Sequence, residues 1–477
     1  MSEKCFARFL KFFIVIECVY ALISIVISQF ALADDLEHIH ASWLVWNGQV
    51  PYKDFFEHHH PLMWYLFAPI VGMCDRNITV FFVIRGIMSL VSFATLYVVY
   101  RIIKDFISDR ITGLLAISIY CASFVVQSAI VQFKPDLFMQ LFFMLAVYYF
   151  FRFIRDEKQK DLSLCAAFLT IGFLFLQTII FLALPLGIIG IYLIYTKKIG
   201  LKMLAKAAVI PAVILCSAVM FLYFSGNLER YFQLNWVINS QIASNVQKKV
   251  VDFSCFYVIL LSGILCCCYL IYRKPNIYVV TIILMFFSEL PWRTLYFSVQ
   301  LYYFKMLLLY NALIISLAVI KIWQTRKFVA YVVVLLLFGL NCRFLLLEHV
   351  KMVKPTEALI ITKIMANNSE SSDTVLGASD IPFGVFNKDP HYYWFSWNYI
   401  GKLDARKYHY APDFDINKIL VNDKPKFVYF ENYLHPEYSE GEKYDIKMDI
   451  LMKYYDFAGS HILFVRKNEN TDMHKTD

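Results

Sequence analysis

Apolar stretches close to membrane-crossing length recur through the first 350 residues, separated by short polar connections. A helix needs roughly twenty apolar residues to cross the hydrocarbon core of a bilayer. The runs at 10–33, 78–100, 112–130, 137–153, 162–179, 181–196, 207–225, 251–272, 277–291, 300–320 and 328–347 read as such helices, about eleven in all. The division near Gln177 interrupts a stretch, 162–196, that is otherwise almost continuously apolar. The first run has no small-residue cleavage site and further spans follow it, so it reads as a retained helix rather than a cleaved signal. After Lys351 the pattern changes. KPTEALIITKIMANN predicts a helix, and DTVLGA, PKFVYFEN and SHILFVRKN predict short strands, the last two joined by a helical stretch near 443–455. The predicted fold class is a polytopic α-helical membrane protein, residues 1–350, with a small soluble α/β domain at 351–477.

Charge orients this chain. Only 17% of the 477 residues are charged, against about 25% in soluble proteins. The net charge of +8 divides into −3 for residues 351–477 and +11 for residues 1–350. Lysines and arginines collect in alternate connections: Lys4/Arg8/Lys11, Arg101/Lys104/Arg110, Arg152/Arg155/Lys158/Lys160, Lys197/Lys198/Lys202/Lys206, Arg273/Lys274 and Lys321/Arg326/Lys327. Short basic connections are cytoplasmic as a rule. That puts the N-terminus inside and the 34–77 loop outside, and an odd number of spans puts 351–477 outside as well. Cytoplasmic loops account for the excess base, so no nucleic-acid partner is implied. Eleven cysteines form no CxxC pair and none lies beyond Cys342, so they read as small buried hydrophobes.

The first outer loop carries most of the titratable chemistry. Asp34 to Tyr65 holds five of the eleven histidines (His38, His40, His58, His59, His60) and five acids (Asp34, Asp35, Glu37, Asp54, Glu57). Asp34 with Glu37 fits a capping box, and Gly48 is a plausible stop. Between them Leu36, Ile39, Trp43 and Trp46 recur at helical spacing, which predicts an amphipathic helix along the membrane interface. Gln49 to His60 reads as a loop, and Pro61 opens a second helix too short to span, hence interfacial or re-entrant. The connection at 226–250 is long enough for an interfacial helix or a lid, and SELPWRTLY places Glu289 and Arg293 near the outer face.

Five groups could carry chemistry. Asp34 and Asp35 follow the first span, where a partly desolvated carboxylate can act as general base; equally, Asp34 only caps the next helix. In YKDFFEHHHP, His58, His59 and His60 beside Asp54 and Glu57 could donate to a phosphate or bind metal, although three consecutive residues cannot all turn to one ion. The alternative is a solvated interfacial loop. Asp136, in KPDLFM, opens a span on the same outer side, as a helix-start carboxylate or a second acid. Glu17 lies within the first span, where an acid is a functional candidate or pairs with a base. Arg293 and Lys305 could neutralise a phosphate or simply snorkel.

These residues give an outward-facing acidic site but no reaction. LVWNGQVPYKDFFEHHHPLMWYL after an Asp-Asp pair resembles the first outer loop of bacterial GT-C glycosyltransferases. The resemblance is to the family-39-like branch, related to dolichyl-phosphate-mannose–protein mannosyltransferases and the lipid A aminoarabinose transferase. KPDLFM resembles that group's second acidic motif. The resemblance implies an inverting transferase that moves a sugar from a polyprenyl-phosphate donor to an acceptor hydroxyl on a lipid, glycan or protein at the outer face of a bacterial inner membrane. It implies Asp34 as the base, Asp35 where relatives carry Glu, and Asp136 as the second acid. His58, His59, His60, Lys53 and Arg293 would then meet the donor's lipid phosphate. His59 falls near a lysine that holds this phosphate in the aminoarabinose branch. A divalent ion, if the reaction uses one, would fall to Asp34, Asp136 and His59. The competing readings are a secondary transporter or flippase with Glu17 and Asp136 as ion sites, for which paired repeats are missing, and a non-catalytic relative in which HYYWFSWNY stacks on sugar.

Overall fold

The structure is a computed structural model describing residues 3–27, 33–123, 126, 130–240, 254–295, 305–324, 357–378, 384–392, 415–430, 447–458 and 463–467. It is mostly helical. Helices α1 (Glu3–Ile27), α2 (Ala33–Trp46), α3 (Leu62–Met73), α4 (Thr79–Ile102) and α5 (Arg110–Cys121) open the chain. Helices Pro135–Asp156, Gln159–Phe175, Ile179–Tyr195, Leu201–Phe224, Ser254–Tyr272, Ile277–Leu295 and Lys305–Trp323 follow. Among the described residues, four stretches are long and apolar enough to cross a membrane: Thr79–Ile107, Pro135–Asp156, Leu201–Phe224 and Lys305–Trp323. The run at 328–347 lies outside the described residues.

Two compact units emerge. The first comprises Met1–Ile27, Arg85–Ala218 and Val246–Met352, and the second Ser28–Ile84, Val219–Asn245 and Val353–Asp477.

The first unit is a helical bundle around Lys305–Trp323, which is buried along nearly its whole length and packs on α5, Ser254–Tyr272 and Ile277–Leu295. Helices Pro135–Asp156 and Gln159–Phe175 form a hairpin, turned at Glu157 in the left-handed region and laced by stacked Phe138, Phe142 and Phe175. The continuous apolar stretch breaks at Leu176, whose extended backbone ends one helix before Ile179 begins the next. Basic connections meet at one end of this unit. Lys198 pairs with Glu157 at 3.0 Å, Gln159 donates to the Met203 carbonyl, and Arg155 lies over the Phe106 ring. Charge alternation assigns these connections to one membrane face, and their meeting agrees with it. SELPWRTLY departs from expectation: the helix runs on to Leu295 with Glu289 buried, so no loop separates Glu289 from Arg293. The Glu17 and Arg293 side chains lie outside what is described.

In the second unit the C-terminal region forms a four-stranded sheet of β1 (Val375–Ala378), β2 (Phe427–Phe430), β3 (Tyr455–Phe457) and β4 (Leu463–Arg466), ordered β1-β2-β4-β3. The β1–β2 pair is parallel and the other two are antiparallel. Central β2 is buried on both faces, which its unbroken apolar run requires. Gly377 is in register with Tyr429, whose ring fills the space a side chain would take. Strand β3 follows the helix Met448–Tyr454 directly, and neither it nor the helix Ile416–Asn422 was revealed by the sequence pattern. Of the aromatic run HYYWFSWNY only His391 and Tyr392 are described.

Helix α2 differs from the expected interfacial helix. Every side chain from Asp35 to Leu44 is buried, including Trp43, whose indole N–H donates to Asp75 at 2.7 Å; Trp46 alone of the expected apolar stripe is exposed. The polar face that ought to meet water is covered by protein instead. Asp34 also sits inside the first turn rather than at the cap, and the Glu37 carboxylate points to His59 instead of closing a capping box. The stop at Gly48 is as expected. Its left-handed backbone lets Gly48 N–H bond Val45 and Gln49 N–H bond Leu44, the paired bonds of a Schellman ending.

Close helix packing in the first unit can be tested. Gly263 of Ser254–Tyr272 lies against Asn311 of Lys305–Trp323, leaving no room for a side chain. Gly263→Leu should lower the thermal midpoint of the detergent-purified protein by several degrees, on the scale of about 1–3 kcal/mol for overpacking. Gly187→Leu, with open space around it, should leave the midpoint unchanged.

Candidate functional site

The chemistry of the second unit gathers where α2 meets the loop 50–60. Hydrogen bonds fold the loop back on itself. Tyr52 N–H bonds the Phe55 carbonyl with Tyr52 in the left-handed region, and Asp54 accepts from the Val50 amide at 2.7 Å. Asp54 is therefore a turn residue, and the Lys53 side chain points to solvent. The connection after Gly226 covers this loop from another side. Arg230 donates to the carbonyls of Tyr52 and Lys53, Asn239 donates to the His58 carbonyl at 2.7 Å, and the Tyr231 ring stands edge-on to His60.

So held, the three histidines part ways. His59 turns inward, with Nδ1 at 3.2 Å from Glu37 Oε1 and 3.5 Å from Glu57 Oε2. His58 joins it, its ring centroid 4.1 Å away, while His60 is buried against Tyr231. Trp64 donates its indole N–H to His38 Nδ1 at 3.2 Å, so that nitrogen accepts and His38 carries its proton on Nε2. The His38 ring in turn meets His59 edge-on at 5.1 Å.

Burial sets the charge of this centre. It pushes Glu57 up to about 8, with the Glu37 charge adding to the rise. Burial would lower His59, but its bonds to Glu37 and Glu57 outweigh this and hold it up at about 10. His60 falls to about 3 through burial and the neighbouring His59 charge, and His58 falls well below the ordinary range for the same two reasons. At neutral pH an imidazolium thus stands between two carboxyl groups, flanked by neutral histidines.

The same atoms suit a divalent cation. One donor atom from each of Glu37, Glu57, His58 and His59 lies within 4.8 Å of the other three. Ligands about 2.1 Å from a tetrahedral ion stand about 3.4 Å apart, close to the two His59 distances. Carboxylate and imidazole donors fit zinc and manganese. Of the ion-binding set expected from sequence, only His59 is in this group. Glu37, Glu57 and His58 complete it, and the signal for the two glutamates was their place three residues after Asp34 and directly before the histidines. Asp34, half-buried, and Asp35, fully buried, share α2 with Glu37. Asp136, half-buried, follows Pro135 in the first turn of Pro135–Asp156 and belongs to the first unit. That unit also holds Lys305, which is only 4% exposed beside Ser92, Thr95, Tyr120 and Gln140 and so does not snorkel.

A helical membrane protein with an acidic, histidine-rich stretch after its first helix is the class these features define. Residues 58–223 match the family model described as dolichyl-phosphate-mannose-protein mannosyltransferase. The match begins at the histidine run, spans about a third of the chain, and supports a GT-C glycosyltransferase, in agreement with the resemblance carried by the loop motif. Comparison with curated proteins gave no match.

A pH effect follows from these shifts. In EDTA-treated protein between pH 5.5 and 4.5, the opened loop protonates His58 and His60, which the folded loop keeps neutral. Glu57 acts oppositely, holding a proton that the opened loop releases. The net is about one proton taken up on opening, so local stability should fall by about 1.4 kcal/mol per pH unit on acidification. His59 is charged in both states in this window and drops out. Hydrogen exchange of the 57–60 amides measures the slope.

Proposed function

We propose that this chain is an inverting glycosyltransferase that moves a sugar from a polyprenyl-phosphate donor to an acceptor hydroxyl at the outer face of a bacterial inner membrane. The observation that carries the reading is the coincidence of the family match with a buried carboxylate–histidine centre at the start of the matched region. The topology that goes with it has about eleven spans and places the 34–77 loop and the C-terminal α/β region outside.

In this reading Asp34 is the base. It stands in the first turn of α2, half-buried, where a carboxylate keeps some water access and can still reach a hydroxyl. Asp35 lies deeper and supports it electrostatically. Asp136, at a second helix start, orients the acceptor. A lipid phosphate is already a competent leaving group, so no strong general acid is needed. What the enzyme must supply is a base and positive charge for the phosphate. His58, His59, His60, Lys53 and Arg293 are the donors assigned to that charge, and imidazolium His59 is the best suited of them. A divalent ion held by Glu37, Glu57, His58 and His59 would supply the same positive charge in place of the His59 proton.

Purified protein in detergent, offered a panel of polyprenyl-phosphate sugars and a crude acceptor extract, tests this. Wild type should transfer, and Asp34→Asn should lose at least about 100-fold in rate while folding normally. Equal rates in the two would remove Asp34 from the mechanism. Glu57→Gln should abolish binding of cobalt(II), followed by its visible spectrum, and EDTA should slow transfer if the ion takes part.

A further inference from the structure

The C-terminal region reaches into the surroundings of the carboxylate–histidine centre through one short segment, residues 384–392. Three sets of contacts, all within the second unit, tie it to the first outer loop. His40 of α2 is buried with both ring nitrogens engaged: Nδ1 lies 3.1 Å from the Val385 carbonyl and Nε2 2.8 Å from Asp389 Oδ2. A carbonyl only accepts, so Nδ1 carries a hydrogen, and one further proton lies between Nε2 and the Asp389 carboxyl. Tyr392 grips the turn before the histidines from two sides. Its hydroxyl donates to the Tyr52 carbonyl at 2.7 Å, and its carbonyl accepts the Phe56 amide at 2.8 Å. Arg76, past the end of α3, donates to the Phe386 carbonyl of the segment at 3.4 Å, and to the Ala366 carbonyl at 2.7 Å and Ser369 Oγ at 2.8 Å at the C-terminal turn of the helix Glu357–Asn368.

The positions of these contacts matter more than their number. His40 is three residues after Glu37, so the two side chains are neighbours on one face of α2. Phe56 immediately precedes Glu57. Each glutamate that flanks His59 is therefore backed by a bond to the 384–392 segment, one through the helix and one through the loop. Neither His40 nor Asp389 belongs to the centre, and Asp389 is remote in sequence from both glutamates.

We propose that residues 385–392 form a strap that positions Glu37 and Glu57 around His59, with Asp389 and Tyr392 as its positioning residues. This gives the C-terminal region a part in the chemistry of the outer loop. The strap is a matter of geometry, whereas its effect on catalysis rests on the transferase reading.

Hydrogen–deuterium exchange on the full-length protein in detergent tests the strap directly. Tyr392→Phe removes one bond and should speed exchange over 52–60 about fivefold, the worth of a typical hydrogen bond. Asp389→Leu leaves a buried ring nitrogen without its partner and should speed exchange over 36–60 about tenfold or more. Asp389→Asn keeps a group able to bond Nε2 and should restore most of the protection. Peptides covering β2 and β4 should exchange at wild-type rates throughout. In the transfer assay the loosened variants should lose kcat/KM for the donor, and Asp389→Asn should recover most of it.

Wild-type exchange over 36–60 in both Tyr392→Phe and Asp389→Leu would overturn the strap. So would Asn and Leu at 389 behaving alike, or loosening that spreads equally through the sheet in every variant. Absence of transfer by the wild type would count against the transferase reading alone, since the exchange measurements decide the strap without it.

Discussion

Two carboxyl groups and an imidazolium meet between α2 and the loop that follows it, and the contacts of that loop are arranged around that fact. Burying one carboxylate without a partner costs several kcal/mol. Glu57 is fully buried and Glu37 nearly so, and both face His59. The ion pair is tolerable only while the geometry is kept. Hence α2 ends in a defined Schellman turn, Tyr52 accepts a left-handed backbone, and Asn239 and Tyr231 close over the histidines. Any of these features alone is ordinary. Together they hold three titratable groups in a fixed arrangement.

Much of this was legible in the sequence for physical reasons. The helical runs follow from length and hydropathy, and the meeting of Lys198 with Glu157 agrees with the grouping of basic connections. The stop at Gly48 and the helix start at Pro135–Asp136 follow from backbone chemistry that few residues can supply. The three strand motifs from DTVLGA to SHILFVRKN all became strands, because unbroken β-branched and aromatic runs have few alternatives.

What was hidden depends on contacts between distant parts of the chain. The periodicity of Leu36, Ile39 and Trp43 is that of an amphipathic helix, and nothing local says that its polar side is also covered. Glu37 passes for half of a capping box until His59 is seen opposite it. Likewise YKDFFEHHHP reads as a histidine-rich loop in which any ring might face any way, and only the folded turn sends His59 inward and His60 toward Tyr231. Asp389 carried no signal at all, being one acid in an acidic region.

The bond between His40 and Asp389 joins residues 349 positions apart in the chain. Such a pair binds two stretches of sequence into one unit of inheritance. Replacing the histidine by an apolar residue strands a buried acid, and replacing the acid strands a buried base, so neither can drift by itself at low cost. Through its descent the chain is therefore expected to have kept or exchanged the two together, even where the linking sequence has been rewritten many times over.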